Sequence, residues 1–164
     1  MFHSRRTVLG GIAALGLAAC GRDLSHLPQA HAVVVQKSHR KMFLIRNRVA
    51  HSVYNIELGF APKGTKTREG DGKTPEGTYL IDRKNPNSSF HLSLGINYPT
   101  PQQVAFARAS GVSPGGDIFI HGQPNGKYDP SDPDWTAGCI AVENREIEEI
   151  YWMVQVGTPV TILA

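Results

Sequence analysis

Apolar residues recur with a strand-like period in several short stretches of the chain. Ala32 to Val35 is apolar and β-branched, Met42 to Ile45 is apolar, and Val53 to Leu58 alternates. Each predicts a strand, with Lys, Arg, Asn or Gly at its boundaries. Thr78 to Asp82, Phe90 to Ile96 and Val160 to Leu163 predict further strands. Asp117 to Ile120 is a brief apolar strand that delivers His121 at its end. Thr100 to Ser110 carries Val104, Ala105, Phe106 and Ala109 and predicts a short helix closed by Gly111. Ile147, Ile150, Tyr151 and Val154 share one face of a second helix, which Gly157 ends. Asn144 is its expected N-cap, with Glu146, Glu148 and Glu149 placed to suit the helix dipole. Lys63 to Gly77 ("KGTKTREGDGKTPEG") and Gln123 to Asp134 are polar loops. The sum is a mostly β domain with one good helix near its C-terminus.

Composition narrows this picture. The 164 residues fit one domain with a tail, and 40% apolar residues suffice for a core. Seventeen Gly and eleven Pro favour a turn-rich, strand-rich fold over a helical bundle. The formal charge of +3 owes two positive charges to Arg5 and Arg6. Without them, 15 basic side chains remain against 14 acidic. No remaining stretch has the dense Lys/Arg clustering of a phosphate-tracking surface, so a nucleic-acid partner is set aside.

The opening "MFHSRRTVLGGIAALGLAAC" has a positive start, then an apolar run from Thr7 to Ala19 that is too short for a finished membrane span. It fits a secretory signal, and "SRRTVLGG" resembles a twin-arginine export motif. "LAAC" followed by Gly21 resembles a bacterial lipobox, with Cys20 as the lipid attachment site. The expected organisation is an export signal over 1–19, a lipid-anchored tether over 20–31 and a catalytic domain over 32–164. The anchor makes a bacterial membrane a partner and puts the domain on the periplasmic side. A lipidated Cys20 leaves Cys139 without an intramolecular disulfide partner, a lone thiol in an oxidising compartment.

Gly72-Lys73-Thr74 resembles the end of a P-loop, but position 67 is Thr where that motif needs Gly, and Pro75 follows at once. A zinc site wants clustered Cys and His, and there is no CxxC or HExxH; His31, His39 and His51 are scattered, so no metal or other cofactor is expected. Cys139 and His121 remain. A cysteine nucleophile needs a base, an orienting partner for the base, and donors for the developing oxyanion. His121 ends a strand and precedes Gly122, and Cys139 follows Gly138, where the backbone can turn sharply. Counting residues does not bring the two together. A buried small thiol beside a structural histidine is an equal reading at this point.

"IFIHG" (118–122) followed by "TAGCI" (136–140) resembles the catalytic signature of the L,D-transpeptidases, the YkuD-type domain. Fourteen residues separate His121 from Thr136, and "GDGKTPEGTYLI" (70–81) and "SPGGDIFIHG" (113–122) resemble the family's upstream segments. The likeness runs from about Ala32 to Ala164. It implies a β-sandwich-like fold and peptidoglycan stem peptides as substrate. By position, Cys139 would be the nucleophile, His121 the general base, and the Gly122 carbonyl the group holding the imidazole in its tautomer. N–H groups around Ala137, Gly138 and Cys139 would form the oxyanion hole, with Thr136 and Trp135 beside the substrate. The Cys–His pair would hold the thiolate below a free thiol's pKa. The thioacyl-enzyme would pass its peptide to an amine in transpeptidation, or to water in carboxypeptidase- or endopeptidase-type hydrolysis.

The chain departs from the common motif at two places. It has Ala137 where a His usually precedes the Gly-Cys pair, and Ala141 where an Arg often stands. The "DWTxGCIAV" form resembles a sub-branch, some of whose members cut peptidoglycan links rather than make them. Trp135 is read either as lining the site or as bracing its loop. Trp152, on the C-terminal helix, is expected to pack.

Overall fold

The computed structural model describes residues 22–127 and 131–164. The export signal expected over 1–19 and Cys20, the expected lipid attachment site, lie outside the described residues, as does part of the loop after Gln123. In chain order the elements are β1 (Ala32–Gln36), β2 (Lys41–Arg46), β3 (Val49–Asn55), β4 (Gly77–Ser88), β5 (His91–Ile96), α1 (Pro101–Ala109), β6 (Phe119–His121), β7 (Ile140–Ala141), α2 (Asn144–Met153) and β8 (Pro159–Leu163). The mostly β expectation holds, with two helices and the second near the C-terminus.

The strands lie in the order β3-β2-β1-β8-β4-β5-β6-β7. The first half is regular but for one register shift between β2 and β3. Val33 and Val35 of β1, Met42 and Leu44 of β2, and Val160 and Ile162 of β8 all point inward and are essentially unexposed. That is the period-two pattern of strands with one face on the core. β4 joins the halves: Gly77 to Leu80 pairs with β8, and Ile81 to Ser88 pairs with β5 through two register shifts. Such irregularities bend a strand and re-aim its side chains. One core cluster draws on both halves, with Leu94, Ile96, Ile120 and Ile140 meeting the first half's residues and Ile147, Ile150 and Met153 of α2.

Several boundaries differ from the expectation. β3 begins at Val49 because Asn47 and Arg48, both at positive φ, turn the β2–β3 hairpin. The chain then leaves the sheet, and Glu57 and Gly59 form bridges to Ala141 and Thr136. Arg83 to Ser88 extends β4 although its residues are polar, because the ladder with β5 supplies the backbone bonds. Asp117 precedes β6 at positive φ rather than opening the strand. Glu143, not Asn144, is the N-cap of α2: its N–H donates to the Glu146 carboxylate (3.1 Å), while the Asn144 amide oxygen accepts from the Gln123 N–H (2.7 Å). Trp152 is 51% exposed and does not pack as expected, since the core side of α2 is taken by Ile147, Ile150 and Met153. The residues read as a tether lie along the domain, with Leu24 and Ala30 buried and Arg22 paired to Glu149 at 2.6 Å.

Candidate active site

Two short parallel strands set the site. β6 ends at His121, and β7 lies beside it with Ile120 opposite Ile140 and His121 opposite Ala141. Cys139 immediately precedes β7 and lines the same cavity as His121, about 290 Å³ in volume, with Phe90, Ser93, Asp117 and Phe119. A second cavity of about 230 Å³ reaches Cys139 past Lys66, Glu69, Asp117 and Ala137. The thiol is therefore open on two sides while its backbone is braced.

The turn that presents Cys139 is held from within and from behind. The Thr136 hydroxyl donates to the Cys139 carbonyl (2.8 Å) and accepts from the Gly138 N–H (3.1 Å). This occupies one of the three N–H groups expected to face an oxyanion; among the described residues, no acceptor takes the N–H of Ala137 or Cys139. Gly138 has φ +127, and a Cβ there would sit 2.5 Å from the Lys73 carbonyl oxygen. The backbone of Gly59 approaches as closely: a Cβ on it would meet the Gly72 oxygen at 2.1 Å and the Gly138 nitrogen at 2.8 Å. Three backbone segments thus meet with no room for side chains. The "GDGKTPEG" stretch is the rear wall of the thiol's turn.

That wall is fixed by a buried charge pair, which sequence reading missed. The Lys66 ammonium contacts Asp71 at 2.9 Å, with both side chains almost fully buried. Burial works against the Asp71 charge. The N–H groups of Thr67, Arg68 and Lys73 and the Lys66 ammonium outweigh it and hold the carboxyl at about 2.

His121 is 3% exposed, and its Nδ1 lies 2.7 Å from the Gly122 carbonyl oxygen. That contact fits an imidazole protonated at Nδ1, with the Nε2 lone pair free. Gly122 is required here, because a Cβ would lie 2.6 Å from the Asn144 Oδ1 and 3.0 Å from the Phe90 oxygen. The ring is packed by Phe90 (centroids 4.5 Å apart) and meets Trp135 edge-on (5.7 Å). The Trp135 indole N–H donates to Glu57 Oε2 at 2.6 Å. Neither Phe90 nor Glu57 was legible as a site residue: one opens a predicted strand, and the other reads as a polar position of an alternating one.

The electrostatics differ from the expected thiolate. Burial pushes the Cys139 thiol up, against a lowering hydrogen bond from the Phe119 backbone. Burial pushes the His121 imidazole down, opposed by the Gly122 carbonyl and by the negative charge of Glu57. Both directions favour the uncharged thiol and the uncharged imidazole, because burial leaves either ion poorly solvated. The Cys139 Sγ lies 3.5 Å from the Asp117 carbonyl oxygen, a weak thiol-donor contact. His31, His39 and His51 are exposed, and among the described residues no cluster of three or more His, Cys, Asp or Glu is arranged to hold a metal ion.

Residues 30–162 match the family model of the YkuD L,D-transpeptidase catalytic domain. The chain belongs to this family. YafK of Escherichia coli strain K12 is 33% identical over 93 residues, which is 56% of this chain and 32% of YafK. The helical cell shape determining protein Pgp2 from Campylobacter jejuni is similar in structure, with a TM-score of 0.64 and 28% identity over 82% of this chain and 48% of Pgp2. L,D-transpeptidase 1 of Mycobacterium tuberculosis shares the fold, with a TM-score of 0.52 at 16% identity over 82% of this chain and 62% of that one. The chain spans about a third of YafK and about half of Pgp2.

Proposed function

We propose that the chain is a peptidoglycan-modifying L,D-transpeptidase that works through a Cys139 thioacyl-enzyme. What carries the reading is that Cys139 and His121 line one cavity, with the His121 Nδ1 on the Gly122 carbonyl. In the first step Sγ attacks the carbonyl of a stem peptide while its proton passes to His121 Nε2. Burial disfavours both the thiolate and the imidazolium, which favours proton transfer that accompanies attack over transfer that precedes it. The N–H groups of Ala137 and Cys139 receive the oxyanion, each contributing on the order of 3 kcal/mol to barrier lowering. The C–N bond then breaks, the proton on Nε2 goes to the leaving amine, and a thioester remains. An acceptor amine attacks it, gives its proton to His121, and releases the thiol. Thr136 shapes the turn, and Trp135 holds the base. The same reading places the domain outside the cytoplasm, tethered to a membrane by lipid on Cys20.

Hydrolysis of the thioester is the second reading. The small Ala137 side chain is exposed at the mouth of the cavity beside Lys66, which leaves water a route to Sγ. Mass spectrometry of products from tetrapeptide and cross-linked muropeptides, wild type beside Cys139→Ala, separates the outcomes. Cross-linked or amine-exchanged products that vanish in the variant support transfer. Shortened peptides that vanish support hydrolysis. Products that survive the substitution end the cysteine mechanism.

A further inference from the structure

Ala141, one of the two departures from the common motif, lies at the centre of a row that runs across three chain segments. On one side its backbone exchanges two hydrogen bonds with Glu57, both 2.9 Å. On the other it is the register partner of His121. Register partners in adjacent strands project their side chains to the same face. The row therefore carries a carboxylate, a methyl group and an imidazole in succession. Ala141 is fully buried and small, so the space between the two functional groups is left to another side chain. The Trp135 indole spans it, with its N–H on Glu57 Oε2 at 2.6 Å and its ring against the edge of His121 at 5.7 Å. Gln123 adds a longer amide contact to the same carboxylate oxygen, 3.3 Å.

We propose that Glu57 is a positioning residue for the reaction, acting on His121 through the Trp135 indole. The carboxylate fixes the indole, and the indole with Phe90 fixes the plane of the imidazole. Nδ1 then stays on the Gly122 carbonyl, and Nε2 stays directed at the cavity that holds Cys139. Other titratable groups stand on the elements around the ring: Cys139 before β7, Asp117 before β6, and His91 of β5 bonded to Glu148 of α2 at 2.9 Å. Glu57 is the one whose charge acts on the imidazole, and it favours the protonated form. The same residue thus orients the base and offsets part of the desolvation that weakens it. The small, buried Ala141 side chain leaves room for that link.

The inference rests on His121 being the base, and two variants test it with separate signatures. Glu57→Gln keeps the shape and an oxygen for the indole N–H but removes the charge. Trp135→Phe keeps the charge but removes the bond. In Glu57→Gln, the His121 imidazole followed by NMR titrates at lower pH than in wild type. The acid limb of Cys139 alkylation by iodoacetamide moves the same way. In Trp135→Phe, kcat on muropeptides falls about tenfold or more with KM little changed, because a misplaced base costs rate rather than binding. An unmoved His121 titration and acid limb in Glu57→Gln overturns the proposal, whatever happens to kcat, since simple bracing would lower rate and leave both in place. If Glu57→Gln does not fold, an unchanged kcat in Trp135→Phe overturns it alone. Turnover that survives Cys139→Ala defeats the catalytic reading instead, and the NMR titration still reports on the Glu57 link.

Discussion

The two halves of the sheet are built on opposite terms. From β3 to β8 the strands pair with a single register shift, β1, β2 and β8 alternate inward and outward, and none carries a candidate catalytic group. From the far end of β4 to β7 the strands are short or shifted, and the chain passes through positive φ at His91, Asp117 and Gly138. The candidate nucleophile, base and oxyanion donors sit there. Side chains in a regular ladder are committed to alternate faces, whereas a nucleophile and a base from different segments must converge on one point. Short strands ended by glycine-permitted turns achieve that convergence, and the regular half supplies the rigid support.

The sharpest way to break this contrast is at Gly138. Gly138→Ala places a methyl 2.5 Å from the Lys73 oxygen at a φ of +127, so it should cost about 3 kcal/mol or more and abolish Cys139 alkylation. Gly111→Ala, also at positive φ but with open space around it, should cost roughly 1 kcal/mol and leave alkylation untouched. Equal losses in urea unfolding would mean that backbone strain, not close approach, governs the site half.

A matched pair of core truncations comes next. Ile162→Ala in β8 and Ile140→Ala in β7 both empty fully buried sites and should each cost about 3 kcal/mol. Only Ile140→Ala should also slow turnover, because it loosens the strand that follows Cys139. Equal kcat in the two variants would show that the site half tolerates repacking.

The Asp71 wall makes a smaller, pH-dependent prediction. Its carboxyl lies at about 2 in the folded protein against an ordinary 3.8, so it binds a proton less readily folded than unfolded. The stability it contributes is present above the unfolded value and is lost as pH falls from 3.8 through about 2. Asp71→Asn should therefore be less stable than wild type at neutral pH, and the gap should close through that window. A gap that stays constant down to pH 2 would remove the charge from the explanation. Least of all, Trp152→Ala should change stability by no more than about 0.5 kcal/mol, since the ring is exposed on the outer face of α2.

Legibility followed the same division. Val33, Val35, Met42, Leu44, Val160 and Ile162 announce their strands because inward and outward positions differ in hydropathy, and that difference is local. Arg83 to Ser88 and the two residues of β7 are strands whose reason lies in a partner segment, so no local pattern marks them. The motif residues His121, Gly122, Thr136, Gly138 and Cys139 stand out by type and spacing. Glu57, Phe90, Lys66 and Asp71 are ordinary residues in ordinary stretches.

Residue order alone was enough for a mostly β domain, the family signature and the pair of residues most suited to nucleophile and base. Periodicity and residue chemistry are properties of neighbouring positions, and they survive without a fold. The assembled fold was needed to show that β6 and β7 run side by side, that the Gly138 N–H is already bonded to Thr136, and that burial raises the thiol's pKa and lowers the imidazole's. Each of these depends on which distant segments share a contact and how much water they exclude, as Glu57, Ala141 and His121 do in crossing three segments in a single row.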